Sequence, residues 1–328
     1  MKEDAIIKQS KAAYKQWCVQ WREHAKYHGD NFKMKSFEDF ANIGIGKACL
    51  CIANGYSFEE EIETIKKYQN NVDILCCDKT LGHCLDNGII PTYCVVADAN
   101  VSFDTYMEKY KNKLQNTILF INVCGNTKWS IEGNWKDIYF YLNKDAIKSE
   151  NEFGALSKCK NVIPAGTNVS NAMLILMSQS DDTGRKNFFG YDKYLLIGFD
   201  YSFSDDGYYA FNKTGNGKIN YMRNLFIRDI AGRDCYTSNN LLFSAQWLSK
   251  YLSVYKLPVV QCSKRGIVAD KIVRDLKDQM TYNHKREDAE KVIMLVKEQA
   301  IIAKKIADIT NELKDVSLDH YFGFAASI

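Results

Sequence analysis

Apolar and polar positions follow two rhythms along this chain. Residues 3 to about 27 repeat apolar side chains at helical spacing, Ile6, Ile7, Ala13, Trp17 and Trp21 among them, which predicts an amphipathic helix. From Lys47 the pattern changes to short apolar runs separated by helical segments. The runs cover 47–53, 72–77, 93–97, 117–123, 137–142, 194–198 and 258–262. Several are apolar at every position, as strands covered on both faces must be. Helices are expected at 58–69, 79–87, 104–114, 168–180 and 239–254. Strand alternating with helix predicts an α/β, Rossmann-like fold built on a mostly parallel, doubly wound sheet. Pro91, Pro164 and Pro258 all fall beside expected strand starts, where a missing N–H is tolerated.

This pattern divides the chain into an N-terminal helical extension (1–46), a Rossmann-like catalytic domain (47–274) and a C-terminal helical extension (275–328). The last carries an apolar stripe from Val292 to Leu313 that either packs back on the domain or pairs with a second copy in a homo-oligomer. The glycine-containing stretch 204–218 is expected to be a loop. No run of about 18 apolar residues is present, so no membrane span is expected. The charged first residues lack a signal-peptide core, which places the protein in the cytoplasm as an expectation.

Composition changes this picture little. The chain is 46% hydrophobic and 25% charged, in the range of globular proteins. A net charge of +3 neither demands nor excludes a nucleic-acid partner. The 11 cysteines include no C-x-x-C pair and no zinc-like spacing with histidine, and many sit inside apolar runs. Free thiols acting as small hydrophobes are expected, with no structural metal and no disulfide.

The candidate chemistry lies just after the strands. Ligands of open parallel sheets bind beyond the C-terminal strand ends, and there the sequence places Asn54, Gly55 and Ser57, then Asp78 and Thr80, then Asp98 and Asn100. Gly166, Thr167, Asn168 and Ser170 precede the helix at 168–180, and Asp200 and Tyr201 follow the run at 194–198. Each group has a local reading as a turn or helix cap. Recurrence at one sheet edge points instead to a ligand. Helix N-termini with hydroxyls suit a phosphate, and carboxylates suit ribose hydroxyls, a metal or a proton in transit. A nucleotide fits that set, although G-x-x-x-x-G-K-[ST] and a βαβ G-x-G-x-x-G are both absent.

The stretches CIANGYSFEEEI, CCDKTLGHCLDNGIIPTYCVVADANVS, IPAGTNVSNAMLILM, YLLIGFDYSF and PVVQCSKRGI occur in the order seen in one family. The chain resembles the domain shared by motility accessory factor glycosyltransferases and archaeal 6-hydroxymethyl-dihydropterin pyrophosphokinases. That domain is similar in fold to bacterial sialyltransferases using CMP-activated sugars. The resemblance covers about residues 47–274 and implies a nucleotide at the strand ends. By matching positions, Asn54, Gly55 and Ser57 would hold phosphates or ribose, Asp78 and Thr80 the next wall, and Asp98 with Asn100 the reacting centre. Gly166, Thr167, Asn168 and Ser170 would bind from the opposite side, with Asp200 closing the pocket. Many relatives carry a histidine where this chain reads Asp206-Gly207-Tyr208-Tyr209-Ala210. A tyrosine of pKa near ~10 is a poor base at neutral pH.

The function this implies is sugar transfer from a nucleotide-activated donor, CMP- or UDP-linked, to an acceptor hydroxyl on a protein, a glycan or a hydroxymethylated nucleic-acid base. No tightly bound cofactor is expected. Asp98 or Asp200 would serve as base, and Tyr201, Tyr208 and Tyr209 would steady the leaving phosphate. The alternatives are pyrophosphoryl transfer from ATP with Mg²⁺ held by Asp98 and Asp78, and a non-catalytic nucleotide-binding module.

Overall fold

The computed structural model describes residues 3–145, 147–164, 166–178, 187–204, 207, 225–268, 273–281 and 302. The strands are β1 (Ala48–Ile52), β2 (Asp73–Cys77), β3 (Tyr93–Val96), β4 (Ile118–Asn122), β5 (Asp137–Lys144), β6 (Val162–Pro164), β7 (Lys193–Ile197), β8 (Leu225–Arg228), β9 (Asp234–Thr237) and β10 (Val259–Gln261). Eight of them form one sheet in the order β10-β7-β1-β2-β3-β4-β5-β6. Every pairing in it is parallel, as the fully apolar runs required. β8 and β9 form a separate antiparallel hairpin.

The helices are α1 (Glu3–Asn31), α2 (Ser57–Glu60), α3 (Ile62–Tyr68), α4 (Asp78–Asp86), α5 (Phe103–Met107), α6 (Lys128–Glu132), α7 (Ser149–Ser157), α8 (Val169–Ser178), α9 (Asn239–Tyr255) and α10 (Leu276–Met280). Successive strand residues point to opposite faces, so the sheet divides two cores. Leu50, Ile52, Cys76, Val96, Ile121 and Ile197 pack with Phe58, Leu81, Phe103, Trp129 and Phe153 from the connecting helices. Cys49, Cys51, Leu75, Val95, Phe120 and Leu196 pack on the other side with Met173–Met177 of α8 and Leu248 and Leu252 of α9. The sheet is therefore doubly wound. After β6 the chain crosses back through α8 and resumes at β7 on the far side of β1.

The seven expected strands all form. β6 and the β8–β9 hairpin carry no comparable signal: β6 has three residues ending in Pro164, and β8 is exposed along most of its length. Pro164 closes a strand rather than preceding one, which the sheet edge tolerates because no further strand needs its N–H. The helix expected at 58–69 breaks at Glu61 into α2 and α3, and that at 104–114 tightens into a 3₁₀ turn at Glu108–Lys113.

α1 is anchored at the β4 and β5 side of the sheet. His24 Nδ1 lies 3.0 Å from the Cys124 carbonyl and His28 Nδ1 2.8 Å from that of Val123. Tyr14 donates to Glu152 of α7 at 2.6 Å, and Arg22 pairs with the same carboxylate. His28 is fully buried, and burial pulls its pKa down to about 4. The 11 cysteines are free thiols, all buried except the half-buried Cys18. The chain falls into two compact units, Met1–Tyr282 and Asn283–Ile328. The residues of the expected apolar stripe between 292 and 313 lie outside the described residues. Among the described residues no helix is long and apolar enough to cross a membrane.

Candidate functional site

All parallel strands end at one edge, and there β1 to β6 open onto a cavity of about 800 Å³. Its floor carries Asn54 after β1, Asp78 after β2, Asp98 and Asn100 after β3, Asn122 ending β4, and Asn143 and Asp145 from β5 and its loop. Gly166, Thr167, Asn168 and Ser170, at the start of α8, form one wall. Trp17 and Trp21 of α1 form another. Eight of the expected site residues thus converge on one space: Asn54, Asp78, Asp98, Asn100, Gly166, Thr167, Asn168 and Ser170.

Asp78 opens α4, and its Oδ1 accepts the Lys79 N–H at 2.7 Å. It is 2% exposed. Burial raises its pKa to about 6 against the pull of the Lys79 N–H and ammonium, and the nearby Asp98 charge adds to the rise. Asp98 itself is exposed, with Oδ1 accepting the Asn100 N–H at 2.8 Å. Lys79 is the one basic side chain among the described residues that line the cavity, against Asp78, Asp98 and Asp145. The Asp145 carboxylate is occupied at the start of α7, where Ser149 Oγ donates to it at 2.6 Å.

Two amide oxygens in the lining, Asn54 Oδ1 and Asn143 Oδ1, are buried with no hydrogen-bond partner among the described residues. An unmade bond at a buried carbonyl costs about 1–3 kcal/mol, so a donor supplied from the cavity would recover that cost. At the α8 wall, Asn168 Oδ1 accepts the Asn171 N–H at 2.9 Å and Asn171 Nδ2 donates to Thr167 at 2.8 Å. The first turn's N–H groups beyond these caps have no intrahelical acceptor, which suits an anion.

Gly55, Ser57, Thr80, Asp200 and Tyr201 do not line this cavity. Between β10, β7 and β1 the strand ends are stitched to one another. Ser57 donates to Asp200 from its backbone N–H at 2.8 Å and from Oγ at 2.6 Å, and Ser263 Oγ lies 2.7 Å from Ser57 Oγ. The Gly198 N–H donates to the same Ser57 hydroxyl at 3.0 Å. Asp200 is fully buried, and burial lifts its pKa to about 6 against the Ser57 bonds. Among the described residues, Asp200 is held by buried donors at this edge, away from the cavity lining. A side chain on Gly55 would collide with the Gly198 carbonyl and the Asp200 carboxylate. Its missing Cβ therefore lets β1 approach β7. Thr80 is buried with its hydroxyl 3.0 Å from Cys77 Sγ. Tyr201 donates to Asn171 at 2.7 Å and is 2% exposed. Tyr208 and Tyr209 lie outside the described residues.

A family model described as 6-hydroxymethylpterin diphosphokinase MptE-like matches residues 22–206, more than half of the 328 residues. The chain belongs to this MptE-like family. Among solved structures the chain is similar to the MAf glycosyltransferase from Magnetospirillum magneticum AMB-1, at 12% identity and a TM-score of 0.56. The match covers 78% of this chain but only 38% of that protein's length. At that identity the likeness is one of fold. None of the curated proteins matches the sequence.

The MptE-like segment supplies the cavity floor and the α8 wall. Trp17 and Trp21 lie before it, and Ser238 and Leu241 of the α9 end lie after it, yet all four line the same space. Reading the sequence by strand ends missed Trp17, Trp21, Asn143 and Asp145. The two tryptophans carried a helical signal without an address, and Asn143 lies inside β5, whose end was placed at 142.

Proposed function

We propose that the chain is a nucleotide-sugar-dependent glycosyltransferase that works in the cavity beneath α1. One observation carries this reading: a buried carboxylate, Asp78, faces the same cavity as a helix N-terminus, that of α8. A pKa near 6 makes Asp78 a better proton acceptor at neutral pH than an ordinary carboxylate, because a base works best close to the operating pH. In this reading the Asp78 carboxylate takes the proton of an acceptor hydroxyl. The oxygen bonds to the anomeric carbon of the donor sugar, and the bond from that carbon to the phosphate oxygen breaks. The leaving phosphate is held by Thr167, Asn168, Ser170 and the free N–H groups of α8. Asp98, at the next strand end, orients the acceptor, and its charge raises the proton affinity of the Asp78 carboxylate.

The family description favours a second reading, diphosphoryl transfer from ATP to a hydroxymethyl group. Asp78 and Asp98 at adjacent strand ends fit Mg²⁺, which takes one or two carboxylates and shares the rest of its shell with phosphates. Both residues would then hold the metal, which would draw charge from the phosphates.

Thermal shifts with CMP, UDP, GDP and ATP, with and without Mg²⁺, separate the two, because a ligand that binds only the native state stabilises it by mass action. Stabilisation by a pyrimidine or guanosine nucleotide without metal is expected. Stabilisation by ATP alone, and only with Mg²⁺, would replace glycosyl transfer by the second reading. For a binding donor, Asp78→Asn is expected to lower transfer by about 10²-fold or more, the size usual for a lost general base.

A further inference from the structure

Trp17 and Trp21 have no part in the chemistry just described, yet both line the cavity. Their rings lie 6.0 Å apart and tilted by 42°, and Trp21 meets Phe153 of α7 edge-on at 6.1 Å. Both are half-buried and line the cavity. The helix carrying them is fixed at its far end by His24, His28 and Arg22, so the aromatic wall is preorganised rather than draped. The same cavity carries hydrogen-bond acceptors in excess: the unpartnered Asn54 and Asn143 oxygens and the carboxylates of Asp78 and Asp98, with Lys79 the single cation among the described residues of the lining.

That pairing selects a ligand with two unlike sides. One must be a flat, weakly polar face with C–H groups to meet the negative face of an indole. The other must be rich in O–H donors and must not set a negative charge beside the Asp98 carboxylate. A neutral pyranose ring has both. We infer that the acceptor is the terminal sugar of a neutral saccharide, held on the Trp17 and Trp21 wall with its hydroxyls turned toward Asn143 and Asp98. The inference rests on the glycosyl-transfer reading for the word acceptor, but the subsite itself does not. The wall lies outside the MptE-like segment at 22–206, whereas the α8 wall given to the donor phosphate lies within it.

The test titrates the full chain with lactose, maltose and cellobiose, followed by tryptophan fluorescence and calorimetry. A serine-containing tetrapeptide and the nucleotide that gives the largest thermal shift serve as comparisons. At least one disaccharide is expected to bind and to change the fluorescence. Trp17→Ala should weaken it tenfold or more, and Trp17→Phe, which keeps a ring and the helix packing, threefold or less. Asn143→Ala should also weaken it. Nucleotide affinity should change less than threefold in the Trp17 variants. Circular dichroism melts confirm that each variant is folded. Binding of nucleotide but of no disaccharide overturns the inference, as does tight binding of the peptide alone. A loss of nucleotide affinity in Trp17→Ala equal to or above the loss for saccharide would assign the wall to a nucleobase. Saccharide binding without any nucleotide binding would instead leave the subsite standing and remove the donor reading.

Discussion

Two stretches of the same sheet edge answer one sequence signal in opposite ways. Along β10, β7 and β1, the polar residues after the strands turn on each other: Ser263, Asp200 and Ser57 form a buried, hydrogen-bonded lock. From Asn54 after β1 across to β6 they turn outward, and Asn54, Asp78, Asp98, Asn143 and the α8 start line an open cavity. The crevice beside β1, where the chain order reverses, is the usual ligand position in such sheets. Here Ser57 and Asp200 fill it. A small or acidic residue after a parallel strand therefore marks an edge where backbone groups need partners. Whether the partner is protein or ligand depends on which strands lie next to each other.

The sharpest way to break this comparison is to remove the lock. Asp200→Ala strands the Ser57 N–H in a dry site and leaves the Ser57 hydroxyl only Ser263 to donate to, and hydrogen bonds to charged groups contribute about 1.5–3 kcal/mol each. A loss of about 3 kcal/mol is expected in equilibrium denaturation. Asp200→Asn should cost about 1 kcal/mol or less, since an amide can accept from the Ser57 N–H and donate to its hydroxyl. Normal stability in Asp200→Ala together with lost turnover would move Asp200 from the lock into the chemistry.

Gly166 gives a smaller effect on the open side. A Cβ there would sit 2.8 Å from Ala172 N and 3.1 Å from Asn171 Cβ. Gly166→Ala is expected to cost about 1–3 kcal/mol by crowding the first turn of α8. Denaturant melts check this. An unchanged midpoint would mean that the loop has room and that the glycine serves a ligand instead.

Acidification separates the regions most finely. The Asp200 pKa is raised from 3.8 to about 6, so its native state holds a proton that the unfolded chain releases. Its contribution is full below 3.8 and is lost as pH rises through about 6. His28 runs the other way. Its pKa is lowered from 6.5 to about 4, so its contribution is present above 6.5 and is lost as pH falls toward 4. Between pH 7 and 5 the wild type should gain on Asp200→Asn by about 1 kcal/mol, read as the difference of two denaturation series. Parallel series would show that the Asp200 carboxyl titrates as it does in the unfolded chain.

The sheet was legible because the central strands are covered on both faces and so carry near-continuous apolar runs. β6, β8 and β9 were not, since three or four residues at an edge or in an exposed hairpin leave no periodicity to read. For the site, position after a strand was enough to find Asp78, Asp98 and the α8 loop. It did not separate them from Ser57 and Asp200, because the reversal that sets β7 beside β1 is a property of strand order. Nor did it find Trp17 or Trp21, which reach the cavity only because α1 folds back to the β4 end through His24 and His28.

The central claim is that ligand enters the cavity of β1 to β6 and leaves the lock of Ser57, Asp200 and Ser263 closed. A crystal structure of the full chain with its best-stabilising nucleotide tests this directly. The account predicts a phosphate against Thr167, Asn168 and Ser170, with Asn54 or Asn143 bonded to ligand and the bonds of Ser57 to Asp200 intact. A nucleotide seated between Ser57, Asp200 and Ser263, with that lock opened, would contradict it.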